Sequence, residues 1–344
     1  MGAVPRLPSA GEPAMEGDVF QRAIYLTGPT ASGKTAVGVA LARRLGAEIV
    51  AMDSMTIYRG MDIGTAKPAM AERGGIPHHL IDVIDPWESA SVADYRRWAR
   101  DAVGAIERRG NRALFVGGTS LYLKALLRGL FEGPGTVLEL RRRLEQDALA
   151  QGDPALHHRL AALDPVTAAR LHPHDRRRII RALEVIELTG RPLSELQAQH
   201  GRPAPAGVQV YALEPPRARL SDRINRRVQG FFDAGLVEEV RTLQAGPRPL
   251  SPVAAQAIGY REVLAMLAGQ ATLDATIDRI QARTRQFTKR QATWFRGLVE
   301  VHPFPVGPDE DPAAIAERLA RRIATDGATP AAAERATDPG TERP

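Results

Sequence analysis

Eight residues, Gly28-Pro29-Thr30-Ala31-Ser32-Gly33-Lys34-Thr35, constrain this chain more than any others. They follow an apolar, β-prone run, Ala23-Ile24-Tyr25-Leu26-Thr27, and lead into a helical pattern over residues 36–45. Strand, glycine-rich loop and helix in that order make a phosphate-binding loop. Its glycines let successive backbone N–H groups turn toward one anion at the positive end of a helix. Lys34 adds a point charge on the terminal phosphate, and the Thr35 hydroxyl is placed to ligate Mg²⁺. The fold class that follows is α/β, a P-loop-type parallel sheet flanked by helices.

A second short strand, Glu48-Ile49-Val50-Ala51-Met52, ends at Asp53. In open parallel sheets the carboxyl ends of neighbouring strands border one crevice, so Asp53 is expected beside the loop. An aspartate that only caps a turn is the alternative. Residues 53–68 are polar, punctuated by glycine and without helical or strand period, and long loops of that kind at a strand's carboxyl end usually carry function. His78-His79-Leu80-Ile81-Asp82-Val83-Ile84 reads as a strand. Neighbouring strand residues face opposite sides, so the two histidines do not easily share a metal, and a structural role is favoured. Ser91-Val92-Ala93-Asp94 resembles a capping box that opens an amphipathic helix ending at Gly110. The next buried strand, Arg112-Ala113-Leu114-Phe115-Val116, runs into Gly117-Gly118-Thr119-Ser120 and a helix. Typical nucleotide hydrolases with this loop end one strand in a Mg²⁺-holding acid. Here a second anion pocket at a helix start takes that place, which weakens the case for ATP hydrolysis.

From residue 137 to about 200 no strand is readable, and start signals such as Asp153-Pro154 and Asp164-Pro165 set off short helices. An all-helical domain inserted over residues 135–205 explains this, with the α/β core on either side at 22–134 and 206–323. Residues 1–21, lacking any apolar stretch of a signal peptide, are expected to be a flexible tail, and 324–344 a disordered one. A last helix is expected over residues 309–323. The 344 residues contain no cysteine, which excludes disulfides and thiolate metal sites and fits a cytoplasmic protein. No apolar run approaches the roughly 20 residues that span a bilayer.

The net charge is +6, and the acid-free stretch 279–296 holds six basic residues, Arg279, Arg283, Arg285, Lys289, Arg290 and Arg296, interleaved with Trp294 and Phe295. That composition suits a surface that grips phosphates and stacks bases. Arginines also cluster at 141–143 and 176–178 and on one helical face at 219, 223, 226 and 227; for any single one, a solvated surface is the plainer account. Only four of the 46 basic residues are lysines, Lys34, Lys67, Lys124 and Lys289. In so arginine-rich a chain, a retained lysine marks a place where a compact, rotatable ammonium is wanted.

Taken together, Gly28 to Thr35, Asp53-Ser54…Tyr58-Arg59-Gly60-Met61-Asp62-Ile63-Gly64-Thr65-Ala66-Lys67-Pro68, Gly117-Gly118-Thr119…Leu121-Tyr122, Gln256-Ala257-Ile258-Gly259-Tyr260-Arg261 and Lys289-Arg290-Gln291…Trp294-Phe295-Arg296 resemble the tRNA dimethylallyltransferases over residues 22–303. The resemblance implies an enzyme that moves the dimethylallyl group of dimethylallyl diphosphate onto N6 of adenine 37, beside the anticodon. It implies Mg²⁺, a helical insertion that clasps the anticodon stem-loop, and a cytoplasmic monomer with no membrane attachment. It further implies catalytic roles for Asp53, Thr119 and Arg223, and diphosphate binding by Gly28, Pro29, Thr30, Ala31, Ser32, Gly33, Lys34 and Thr35, with Thr35 on the metal. Contacts to tRNA are implied for Asp53, Ser54, Met55, Thr56 and Thr119. They are also implied for Arg141, Arg177, Arg178, Ile179, Ile180 and Arg181, for Gln256, Ala257, Ile258, Gly259, Tyr260 and Arg261, and for Lys289, Arg290 and Arg296.

The residue chemistry agrees with this. The leaving group is a diphosphate, so the loop, Lys34, Mg²⁺ and Arg223 would stabilise charge as the C–O bond breaks. The adenine amine needs a carboxylate to take its proton, for which Asp53 is the candidate, and the base must leave its stack to be reached. A small-molecule or nucleotide kinase would explain the loop but not the basic helix or the missing acid. A non-catalytic RNA-binding ATPase would leave Asp53 and its loop unexplained. An isopentenyltransferase acting on free adenine nucleotides shares the loop chemistry.

Overall fold

The computed structural model describes residues 19–130, 133–135, 137–197 and 203–333. The chain divides into two compact units, Leu127–Ala204 and the residues on either side of it. The boundary therefore falls earlier than residue 135.

The larger unit begins with β1 (Ile24–Thr27), α1 (Lys34–Leu45), β2 (Ala47–Ala51), β3 (His78–His79), α2 (Val92–Arg108), β4 (Arg112–Val116) and α3 (Ser120–Arg128). The helical unit holds α4 (Leu138–Gln151), α5 (Asp153–Leu163), α6 (Pro165–Ala168), α7 (Arg176–Thr189) and α8 (Leu193–Leu196). The larger unit resumes with β5 (Gln209–Glu214), α9 (Arg217–Asp233), α10 (Leu236–Gln244), α11 (Pro252–Ala255), α12 (Tyr260–Leu267), α13 (Leu273–Arg296), β6 (Val301–Pro305) and α14 (Pro312–Ala333).

Six strands form one parallel sheet in the order β3-β2-β4-β1-β5-β6. The strands β1 and β2 are buried along their whole length because helices cover both faces, as parallel sheets require. On one face α1 and α14 pack through Val37, Leu41, Ile315, Leu319 and Ile323. In the sheet Tyr25 stacks on Phe115 with ring centroids 5.0 Å apart, and Tyr95 of α2 stacks on Tyr122 of α3 at 3.8 Å. Pro303 and Pro305 are tolerated in β6 because it is an edge strand. A third cluster joins the polar loop to the later helices through Ile57, Tyr58, Met61, Val228, Tyr260 and Ile280.

Several expectations need correction. The strand expected over 78–84 stops after His79: Leu80 and Asp82 take φ of 62° and 56°, which breaks an extended run, and Ile84 makes only an isolated bridge to Tyr58. Phe20 is no part of a free tail; it is buried, meets Phe115 edge-on, and its carbonyl accepts from the Tyr25 hydroxyl at 2.7 Å. Residues 1–18 lie outside the described residues. The last helix runs ten residues beyond Ile323, to Ala333, anchored where Gln209 Nε2 donates to the Ile323 carbonyl and the Tyr211 hydroxyl to Asp326, at 2.7 and 2.8 Å. The expected tail beyond residue 333 lies outside the described residues. Asp153 is the first residue of α5 and not its cap, and its carboxylate meets Arg176. Asp164 does cap α6, and the capping box at Ser91 is formed.

The helical unit has its own core of Leu144, Leu156, Leu160, Ile179, Ile180 and Leu183, among others. Ile179 and Ile180 are thus core residues, not an RNA-facing surface, because α7 turns its apolar stripe inward. Among the described residues no helix is long and apolar enough to cross a membrane.

Candidate active site

The carboxyl ends of β1, β2 and β4 open on a cavity of about 1100 Å³. The loop residues Thr30 to Thr35 form its floor, with Asp53, Arg227 and Gln291 in its wall. A second cavity of about 440 Å³ lies beside it, lined by Ser54, Met55, Thr119, Ile258, Phe287 and Arg290, among others. Thr30, Asp53, Arg227, Phe231 and Gln291 border both.

The loop shape follows from its glycines. A Cβ at Gly28, where φ is 137°, would stand 2.8 Å from the Leu213 carbonyl oxygen. Gly33 takes φ 89° and starts α1 in the left-handed region. Lys34 Nζ donates to the Gly28 and Pro29 carbonyls at 2.9 and 2.8 Å. Burial, then the charge of Arg227, pushes the Lys34 ammonium down to about 7, with Asp53 acting in the opposite sense.

Asp53 sits two residues past the end of β2, and its Oδ1 accepts from the Met55 amide at 2.8 Å, so the turn is fastened without using both carboxylate oxygens. Thr119 Oγ1 accepts from the Ser54 amide at 3.0 Å, which ties the β4 turn to the polar loop. A Cβ at Gly117 would fall 2.1 Å from the Met52 carbonyl oxygen, so the two strand ends approach this closely only with glycine there.

Two residues hold the polar loop from outside. Glu239 of α10 accepts from three successive amides, Asp62, Ile63 and Gly64, at 3.0, 2.7 and 3.4 Å, and from the Tyr260 hydroxyl at 2.5 Å. Lys67, with 4% of its side chain exposed, gives its three N–H donors to the Tyr58 carbonyl at 2.7 Å, to Asp82 at 2.6 Å and to Asp62. Three convergent oxygens suit an ammonium and not a planar guanidinium, which explains this retained lysine.

Several site expectations change. Arg223 does not reach either cavity: its Nη2 donates to the Pro308 carbonyl at 2.5 Å, while Arg219 pairs with Asp309 at 2.9 Å. One helical turn later Arg227 lines both cavities. Burial holds its guanidinium below the ordinary value, and Asp53 and Glu72 pull the other way. Tyr260 is buried on Glu239 and Ala257 is buried too, whereas Gln256 and Arg261 are exposed. Gly259 has φ 98° and starts α12. Lys289, Arg290 and Arg296 are exposed on α13. In the helical unit Arg141 and Arg181 both donate to Glu184, at 2.8 and 2.9 Å, while Arg177 and Arg178 are exposed.

The histidine pair is structural. His78 Nδ1 donates to the Ile76 carbonyl at 2.8 Å, and His79 Nε2 to Glu48 at 2.6 Å. Glu48 also accepts from Arg109 and Asn111, and these hydrogen bonds, Arg109 first, hold its carboxyl at about 2 against the opposing effect of burial. Among the described residues no group of three or more His, Asp or Glu side chains is placed to hold a metal.

Gln291 and Glu239 were named in no role by sequence reasoning. Gln291 stood inside a motif between two basic residues, and nothing local marked its side chain as turned inward. Arg227 carried only the signal of sharing a face with Arg223.

A phosphate-binding loop at the carboxyl edge of a parallel sheet, with an acid and two half-buried cations beside it, defines a P-loop-type protein. The family model for IPP transferases matches residues 56–298, and that for isopentenyl transferases residues 21–82. The chain belongs to the IPP transferase family. A tRNA dimethylallyltransferase of Geobacter metallireducens is 50% identical over 281 residues, 81% of this chain and 91% of that one. One from Anaeromyxobacter dehalogenans is 46% identical over 305 residues, 88% of this chain and 100% of the other. Among solved structures, the tRNA isopentenylpyrophosphate transferase of Bacillus halodurans superposes with a TM-score of 0.67 at 39% identity, covering 92% of this chain and 99% of that one. A eukaryotic dimethylallyltransferase acting on tRNA gives a TM-score of 0.74 at 26% identity, covering 90% and 79%.

Proposed function

We propose that the chain transfers the dimethylallyl group of dimethylallyl diphosphate to N6 of adenine 37 in tRNA, beside the anticodon. The observation that carries this is the position of Asp53 in the wall common to the loop's cavity and its neighbour. A diphosphate on the loop presents its allylic carbon to that wall, and a base entering the second cavity brings its amine to the same place. The N6–C1 bond forms as the C1–O bond breaks; the amine proton passes to the Asp53 carboxylate, and diphosphate leaves with the bonding pair. The amides at the start of α1, Lys34 and Arg227 meet the charge that develops on the leaving oxygen. Arg227 takes the part expected of Arg223.

Mg²⁺ fits this donor set. Magnesium is usually held by one or two protein oxygens together with substrate phosphates, and the Thr35 hydroxyl lines the cavity floor without a cluster of acids around it. When bound, the ion neutralises part of the diphosphate charge. The tRNA side of the proposal draws on the exposed Lys289, Arg290 and Arg296 and on the second cavity, where Ser54, Met55, Thr119 and Gln256 line the wall. A cytoplasmic chain working as a monomer belongs to the same proposal, since the loop and the acid come from one chain.

The test is Asp53→Ala in single-turnover transfer with labelled dimethylallyl diphosphate, on tRNA and on AMP. The rate should fall by about 10²–10⁴-fold, the usual worth of a general base, with tRNA affinity little changed. A near-normal rate removes Asp53 from the mechanism. Transfer to AMP alone assigns the chain to free nucleotides.

A further inference from the structure

The start of the phosphate loop is not open to an anion. The Thr30 amide and hydroxyl both donate to Oε1 of Gln291, at 2.8 and 3.0 Å. Gln291 Nε2 donates in turn to the Gly118 carbonyl at 2.8 Å, so the carboxamide is fastened at both ends. The residue is 5% exposed and borders both cavities together with Thr30. The seat is shaped for it: a Cβ at Gly118 would stand 2.6 Å from Gln291 Nε2. The Ser32 amide is also occupied, by the Pro29 carbonyl at 3.2 Å. Among the described residues the amides of Ala31, Gly33, Lys34 and Thr35 have no protein acceptor, and three of these four stand at the start of α1.

We propose that Gln291 is a specificity-determining residue that shortens the loop's anion site to a diphosphate and turns away a triphosphate; this rests on the assignment of the loop to dimethylallyl diphosphate. A third phosphoryl group reaching from the helix end toward Thr30 meets a carboxamide oxygen, partly negative, in place of two donors. To bind there it must break the bonds to Thr30 and leave the carboxamide oxygen of Gln291 unpaired in a buried place. A diphosphate whose organic group leads away into the cavity makes no demand on Thr30. The eight residues of the loop would suit a kinase as well as a transferase, and it is a side chain of α13, 261 positions from Thr30, that restricts them.

The experiment compares inorganic diphosphate with inorganic tripolyphosphate, each with excess Mg²⁺, as calorimetric ligands of the full chain and of Gln291→Ala. Tripolyphosphate carries more negative charge, so electrostatics alone favours it. The parent should nonetheless bind diphosphate tighter by about tenfold, the worth of roughly one net hydrogen bond. Gln291→Ala should lose this preference by gaining tripolyphosphate affinity, with diphosphate affinity little changed. A parent that binds both anions alike, or prefers tripolyphosphate, overturns the proposal whether or not the variant folds. A variant with unaltered melting temperature that loses both anions in parallel also overturns it, and makes Gln291 a strut. If the parent binds tripolyphosphate and no diphosphate, the assignment of the loop itself has failed.

Discussion

Two groups of cations, those paired in the helical unit and those lining the larger unit's cavity, live under opposite conditions. In the helical unit Arg141 and Arg181 converge on Glu184, Arg143 and Arg159 on Glu187, Arg176 meets Asp153 and Arg178 approaches Asp175. In the larger unit Lys34 and Arg227 line the cavity without a carboxylate at ion-pair distance among the described residues, and burial lowers both. Lys289, Arg290 and Arg296 on α13 likewise have no ion-pair partner among the described residues. A matched charge builds scaffold. An unmatched, partly desolvated one is costly to keep and marks where an anion from outside is received.

The largest test of this contrast is Glu184, which is fully buried and also accepts from the Val137 amide at 3.1 Å. Glu184→Ala removes the carboxylate that Arg141 and Arg181 share, while Arg181 keeps the Pro134 carbonyl, and should cost about 3 kcal/mol of stability, read as a shift in denaturant midpoint. Burial raises the Glu184 carboxyl, but hydrogen bonds from Arg181 and Arg141 outweigh that and hold it below the usual carboxylate range. A lowered value means stability that is present above the ordinary carboxylate pKa and lost as pH falls through the folded one. The acid limb of the stability curve should therefore flatten in Glu184→Gln. An unchanged midpoint would mean these pairs are ornamental.

Next in size, Arg227→Ala should slow transfer by about 10²–10³-fold, as loss of one charge-stabilising donor does, whereas Arg223→Ala should leave the rate within about twofold, as a surface contact would. The reverse ranking would restore Arg223 to the mechanism. A smaller effect is expected from pH. With the Lys34 ammonium lowered to about 7, the charged form prevails below that pH and is lost above it. kcat/KM for dimethylallyl diphosphate should then fall about tenfold per unit above neutrality, while kcat, governed by a complex in which the diphosphate raises the lysine again, stays flatter. A flat kcat/KM profile denies Lys34 that part. Smallest, Lys289→Gln with Arg290→Gln should reduce the salt slope of tRNA binding by about one unit or less for each phosphate no longer neutralised. Arg143→Gln, taken from a matched pair, should leave the slope parallel to the parent's.

How far the sequence could be read depended on how local each cause was. The phosphate loop is contiguous, and its glycines, lysine and threonine declare themselves within eight residues. Strands β1, β2 and β4 show as apolar runs, and Asp53 follows from their topology. Which of Arg223 and Arg227 lines the cavities was not legible, because both lie on one face of α9. What separates them is the segment after β6, where Pro308 and Asp309 engage Arg223 and Arg219 across 85 and 90 positions. Gln291 and Glu239 act on residues 261 and 177 positions away, so no window of sequence could pair them with their partners. The end of α14 escaped for another reason. Residues 324–344 read as a disordered tail, yet the Asp326 carboxylate is held by Tyr211 and Arg322, and tertiary packing overrides local preference.

The sheet order has a consequence for how this chain is made. Strand β1 lies between β4 and β5, but β5 begins only at Gln209, after the helical unit has been synthesised. At about 5–20 residues per second, some 180 residues of delay leave one side of β1 unpaired for roughly 10–40 s on the ribosome. A bare strand edge whose side chains are all meant to be buried is a template for pairing with other chains. The helical unit meanwhile has a core of its own, so a nascent chain stalled near residue 204 holds a finished unit tethered to four of the six strands. Chaperone demand, and losses to aggregation during expression, should concentrate in that interval.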